Sequence, residues 1–298
     1  MNDLSNRKTG LIFLVAGIFS YGLLWPVMHL GVEYLPPLWF GTVRVFIGAL
    51  VLMVVLALRG ELKLPTKADV PVILSVGICM MGLYVSLVHT AMAFIPAGRG
   101  ALLGYSTPLW VTPAAVLFFG EKMTVWRSVG VILGLSGLAL LFNPTELDWS
   151  DIDALIGNGL CILAAISWSV AILQMRNHKW NLTPLQLGPW QLLLATVVTL
   201  PFSVWVAEPR VPDWSTEFVL LILYGGVIGT AIAMWCVASS IRYLGAVSTS
   251  VGLLGGPMVA IATSVMFLGE VMSLTLGAGL LLTLGGIAIV TLGQQKNH

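Results

Sequence analysis

Ten runs of roughly twenty apolar residues follow one another through this chain, with only short polar stretches between them. They cover approximately residues 10–31, 36–58, 71–95, 97–119, 124–143, 154–175, 184–207, 217–239, 246–268 and 273–293. A hydrocarbon layer about 30 Å thick takes about twenty residues of helix to cross, so each run is the length of one span. The runs lack the alternation of membrane-barrel strands. Only 9% of the residues are charged, against about 25% in soluble domains. Such a chain cannot cover itself with polar surface, so lipid is its solvent and its lipid partner. A net charge of +1 gives no face for nucleic acid. An all-α polytopic membrane protein is the expected class.

The polar start Met1–Thr9 leads into a run too long for the roughly 7–15 apolar residues of a cleaved leader, so that run is expected to stay as the first span. Cys79, Cys161 and Cys236 all lie within apolar runs, at spacings that suit neither a metal site nor a disulfide framework. Neither a metal nor a cofactor is expected.

Basic residues set the orientation. With the N-terminus in the cytoplasm, Arg7, Lys8, Arg59, Lys63, Lys67, Lys122, Arg127, Arg176, Lys179, Arg242 and Lys296 fall on the inner side. Only Arg210 falls in an outer loop, and Arg44 and Arg99 lie at or within spans. The central loop Asn143–Asp153 carries four acids and no base. Both termini are therefore expected in the cytoplasm.

The chain also repeats itself. A shift of 149 residues lays Pro108 on Pro257, Gly120-Glu121 on Gly269-Glu270, Met123 on Met272, Ala97 on Ala246, Gly130 on Gly279 and Gly137 on Gly286. Nearer each start, Pro37-Leu38 and Gly41 match Pro184-Leu185 and Gly188, and Trp25 matches Trp168. Five spans per unit is an odd number, so the two units, 1–143 and 154–293, are expected to insert in opposite senses. Ten transmembrane helices then form two inverted five-helix repeats, the symmetry by which many secondary transporters expose one site to either side in turn.

Ten spans, cytoplasmic termini and the signatures Pro108…Phe119-Gly120-Glu121 and Pro257…Leu268-Gly269-Glu270, each followed by a glycine-rich helix, resemble the drug/metabolite transporter superfamily, EamA type. The resemblance covers essentially the whole chain. Within the superfamily the chain is most similar to bacterial amino-acid exporters of the YddG type. That resemblance implies a bacterial inner-membrane protein exporting small metabolites, aromatic and other neutral amino acids first among them.

Several residues are candidates for the path. Pro108 and Pro257 lie near mid-span, the latter after Gly255-Gly256. A proline there removes a helix hydrogen bond, so Pro108, Gly255, Gly256 and Pro257 are read as repeat-related helix breaks or hinges. Trp25 and Trp168, as repeat mates, are read as gates or stacking surfaces, and Tyr84 and Tyr105 as cavity residues whose hydroxyls need partners. His89 is an ionisable group inside a span. Arg44 and Arg99 are expected to reach the outer surface or helix-end carbonyls. Glu121 and Glu270, at helix ends, are expected to cap or to bind loop amides.

All thirteen Asp and Glu lie at span ends, in loops or in the N-terminal tail. No buried carboxylate is on offer to exchange a proton for a cation, which argues against obligatory coupling through one. The expectation is an alternating-access exporter of small molecules, with a multidrug exporter of the same fold or, further off, a channel as alternatives. Neither an HExxH pair nor two intramembrane aspartates are present, so an enzyme is not expected. A monomer is expected, with a homodimer through the small-residue faces of the fifth and tenth spans as the alternative.

Overall fold

A computed structural model describes residues 2–142, 148–176, 178–206 and 214–295, and within these it is helical with no strand. Arg210, Lys296 and Glu146, used in the charge analysis, lie outside the described residues.

The helices are α1 (Asn2–Tyr34), α2 (Pro37–Leu58), α3 (Val70–Ala91), α4 (Ala97–Phe119), α5 (Val125–Leu141), α6 (Ile152–Arg176), α7 (Pro184–Val206), α8 (Thr216–Leu244), α9 and α10 (Leu274–Gln295). α9 comprises the pieces Ala246–Gly252 and Gly255–Leu268. Among the described residues nine of these helices are, by length and composition, able to cross a membrane, and α5 is a shorter apolar helix of 17 residues. At 1.5 Å per residue α5 spans about 26 Å, within the mismatch that local thinning of a bilayer absorbs.

Local chemistry sets the ends. Pro37 occupies the first turn of α2, where its missing N–H is harmless. Thr124 and Ser215 accept the N–H of Arg127 and Phe218 to cap α5 and α8. Thr183 and Gln186 form a reciprocal capping box at the start of α7. At the far ends of α4 and α9, Gly120 and Gly269 take φ of 66° and 68°, the left-handed conformation that closes a helix without a Cβ penalty. The glycine of each Gly-Glu signature is therefore a helix stop.

Packing follows the repeat. α1 lies against α8 and α9, while α6 lies against α3 and α4; α2 pairs with α7 and α5 with α10. The last pair is the closest. A methyl on Gly137 would stand 2.6 Å from the Thr283 nitrogen, and one on Gly286 would stand 2.4 Å from the Gly134 nitrogen. These glycines face one another within the chain, so that face is already covered. Both α3 and α8 widen into π-helix, over Val76–Leu83 and Tyr224–Ile232, at matching stations of the repeat. Elsewhere the outer surface is apolar: Leu58, Leu117, Phe118, Val125 and Trp205 are each at least three-quarters exposed.

Candidate functional site

Two interruptions shape the centre of the bundle. α4 breaks at Tyr105-Ser106, between the pieces Ala97–Gly104 and Thr107–Phe119, and α9 breaks at Leu253-Leu254. Pro108 has no N–H to give the Gly104 carbonyl four residues back. The Thr107 hydroxyl takes that carbonyl at 3.2 Å, and Ser106 Oγ takes the Leu103 carbonyl at 2.6 Å. In α9 the Gly256 N–H closes on the Leu253 carbonyl at 2.9 Å. Each break thus supplies donors to carbonyls it would otherwise orphan, as a membrane interior requires.

Between the breaks lies a cavity of about 360 Å³, walled by α1, α2, α3, α4, α6, α8 and α9. Trp25, Tyr84, His89, Tyr105, Pro108 and Trp168 all line it. Gly255, Gly256 and Pro257 do not. Gly256 instead supports the wall from behind: a methyl there would stand 2.5 Å from the Tyr105 hydroxyl, so only bare backbone lets that ring sit where it does. The aromatics form two pairs. Trp25 lies against Tyr105 with ring centroids 6.2 Å apart, and Trp168 meets Tyr84 edge-on at 4.6 Å. One pair joins α1 to α4 within the first half, and the other joins α6 to α3 across the two halves.

The path residues expected from the sequence lie on α1, α3, α4, α6 and α9. The wall also draws on α2 and α8, and the largest addition is Arg44 of α2. This corrects the expectation that Arg44 reaches the outer surface or helix-end carbonyls. It is 6% exposed, lines the cavity, and donates from Nη1 to Thr230 Oγ1 at 2.9 Å. Its stem crosses Gly225, where a methyl would stand 3.0 Å from Cδ. No carboxylate pairs with it among the described residues. A central arginine costs about 2.5–3.5 kcal/mol on membrane-insertion scales, which makes its retention a functional signal. A sequence signal existed: the matching residue of the second half is Gln191, so only one half carries the charge.

His89 is fully buried, with Nδ1 at 2.7 Å from the Val85 carbonyl. A carbonyl only accepts, so Nδ1 carries the proton and the neutral ring offers Nε2 as an acceptor. Nε2 is buried without a partner, as is Nε of Arg44. Tyr21, Thr107, Thr230 and Ser250 add to the polar part of the wall, and among the described residues no Asp or Glu belongs to it. Among the described residues no group of three or more His, Cys, Asp or Glu is placed to hold a metal.

The signature glutamates sit away from this cavity and are engaged differently. Glu270 accepts the N–H groups of Ala97 and Gly98, at 2.6 and 3.0 Å, at the free N-terminus of α4. Glu121 receives Arg127 on Oε2 at 3.1 Å and Arg176 on Oε1 at 3.3 Å. Arg99, beside the Glu270 contact, donates to the Leu141 carbonyl and, at 2.7 Å, to Asn158, tying α4 to α5 and α6. At the opposite end Asp69 binds Thr66 in its own loop and the N–H groups of Asn181 and Leu182 at 2.7 and 3.1 Å. Burial alone would raise the Asp69 pKa, but these donors together hold it down to about 2. A second hollow, about 810 Å³, lies between α4 and α6 and is apolar, with lipid-facing Leu117, Phe118 and Val170 on its rim.

The sequence profile of the EamA-like transporter family matches residues 8–143 and again 155–292. The chain is 27% identical to the uncharacterized transporter YoaV of Bacillus subtilis, over 94% of this chain and 97% of that protein. It is 28% identical to the uncharacterized transporter YvbV of the same species, over 97% and 93%. It is 26% identical to the uncharacterized inner membrane transporter YedA of Escherichia coli, over 97% and 94%. A solved crystal structure with 20% identity superposes with a TM-score of 0.63 over 98% of both chains, a likeness of fold.

Proposed function

The chain belongs to the EamA-like transporter family, and from that premise we propose that it carries aromatic and other neutral amino acids out of a bacterial cell by alternating access. Its ten helices form two inverted repeats in the inner membrane, with both termini in the cytoplasm. The observation that carries the substrate reading is the cavity wall: two aromatic pairs, a few polar groups and no acid. Rings suit an apolar or aromatic side chain. A wall without a carboxylate disfavours lipophilic cations, which sets the multidrug reading behind this one. Trp25 and Trp168 stack on the substrate or close over it, and Pro108 and Pro257 let α4 and α9 bend.

The two glutamates support alternating access. Glu270 and Glu121 occupy the same station in the two halves but make different bonds, one on a helix N-terminus and the other on two arginines. In the charge-derived orientation Glu270 fastens the outer end of the bundle. Exchange of these bonding patterns between the halves is what an inverted pair needs to open one end and shut the other.

Counterflow into proteoliposomes tests this reading. Labelled phenylalanine or tryptophan is expected to accumulate saturably against an internal pool, with competition from neutral amino acids and none from lipophilic cations. Flux that fails to saturate indicates a channel, and competition by the cations alone indicates a drug exporter.

A further inference from the structure

Arg44 is the only Lys or Arg lining the central cavity among the described residues, and its surroundings leave it short of an anion. Thr230 spends its own hydroxyl proton on the Gly225 carbonyl, at 2.8 Å and five residues back in the π-helix. It therefore meets Arg44 as a pure acceptor, a neutral oxygen that fixes Nη1 without balancing its charge. Nε remains buried and unbonded. His89, which packs on Gly41 one turn from Arg44 and lines the same cavity, turns its proton toward Val85 and leaves Nε2 as a buried acceptor. The cavity thus holds one fixed cation lacking a counter-ion and one neutral acceptor lacking a donor, beside two aromatic pairs.

We propose that Arg44 is the carboxylate receptor of the transport site, and that the site selects aromatic or apolar monocarboxylates bearing a donor on the carbon beside the carboxylate. The carboxylate completes the Arg44 guanidinium by charge-assisted hydrogen bonds. The neighbouring O–H or N–H goes to His89 Nε2, and the ring lies among Trp25, Tyr105 and Trp168. With no acid in the wall, an ammonium group gains little over a hydroxyl. Both 2-hydroxy and 2-amino acids therefore belong to the substrate class. This rests on the cavity being the transport site and deepens the amino-acid reading by making the carboxylate, not the amine, the selected group.

The test is binding to the purified full-length protein, read as quenching of tryptophan fluorescence and as a ligand-induced rise in Tm. The probes are L-phenylalanine, L-phenyllactate, L-phenylalaninamide and phenethylamine. Phenyllactate is expected to bind within about threefold of phenylalanine, and the amide and the amine about tenfold or more weaker. Arg44→Gln is expected to weaken both acids by about tenfold or more, with part of the loss restored in Arg44→Lys. Equal binding of the amide and phenylalanine overturns the carboxylate assignment while leaving an aromatic substrate standing. Binding of phenyllactate without phenylalanine supports the assignment and removes the amino-acid reading. Acid binding unchanged in a folded Arg44→Gln, or no acid bound at millimolar concentration, overturns the assignment. Should Arg44→Gln fail to fold, the wild-type panel and Arg44→Lys decide it.

Discussion

Gly104 shows how little freedom the cavity wall has at single positions. A methyl there would stand 2.7 Å from Trp25 Cη2 and 2.9 Å from the Tyr84 hydroxyl, so each of these side chains leans on bare backbone. Gly104→Ala is expected to push one of them into the cavity. Overpacking of this kind costs about 1–3 kcal/mol. If half of that falls on the bound state, KM in counterflow rises roughly fivefold while expression stays normal; an unchanged KM would show that the rings do not shape the site. Asp69 allows a second prediction at this scale. Its folded pKa of about 2 lies below the ordinary value near 3.9. The carboxylate thus stabilises the fold at every pH above about 4, and that contribution drains away as pH falls from about 4 to about 2. Asp69→Asn is expected to melt at lower temperature than wild type in detergent at pH 7, with the difference closing by about pH 2. A difference that persisted at that pH would place the effect of the mutation elsewhere.

Helix ends and helix interiors do different work here. The paired left-handed glycines stop α4 and α9 so that Glu121 and Glu270 emerge at matching stations, and the two carboxylates then bind different partners. A charge on a helix N-terminus is worth about 0.3–1 kcal/mol. Glu270→Gln should therefore shift the balance between open and closed outer ends by up to roughly fivefold. In a cysteine-free background carrying Met28→Cys, a cavity-wall position on α1, an impermeant maleimide added outside is expected to react that much faster in the glutamine variant. Equal rates would mean that the Glu270 contact is not a latch. The glycine faces of α5 and α10 serve a different purpose, since they are consumed in packing the two halves together.

At the scale of the whole molecule, energy coupling follows from where the acids are. None of the described cavity-lining residues is Asp or Glu, and the described acids lie at helix ends and in loops, as with Asp69, Glu121 and Glu270. Proteoliposome exchange is expected to continue undiminished when the pH gradient is collapsed. Strict dependence on that gradient would assign a proton to another group, and His89 is the titratable side chain in the wall best placed to carry it.

How much was legible beforehand depended on the range of the forces involved. Span lengths and helix stops are matters of local composition, so hydropathy and Gly-Glu pairs were enough to find them. The repeat was legible as well, because matching stations need matching local chemistry: the breaks by Pro108 and Pro257, the caps at Gly120 and Gly269. Periodicity could not show that α1, α2 and α6 would join α3, α4, α8 and α9 around one cavity, because that depends on which helices cross near the centre. Arg44 is the sharpest case. Its sequence context, two turns into an apolar run, reads like that of any arginine reaching for a membrane surface. Only the packing of α2 against the π-helix of α8, with Gly225 clearing a channel for the stem and Thr230 fixing the tip, turned it inward. Sequence alone determined a helical membrane protein built twice over; tertiary structure decided that Arg44 would sit in the central cavity with no carboxylate partner among the described residues, because burial is a property of neighbours far apart in the chain.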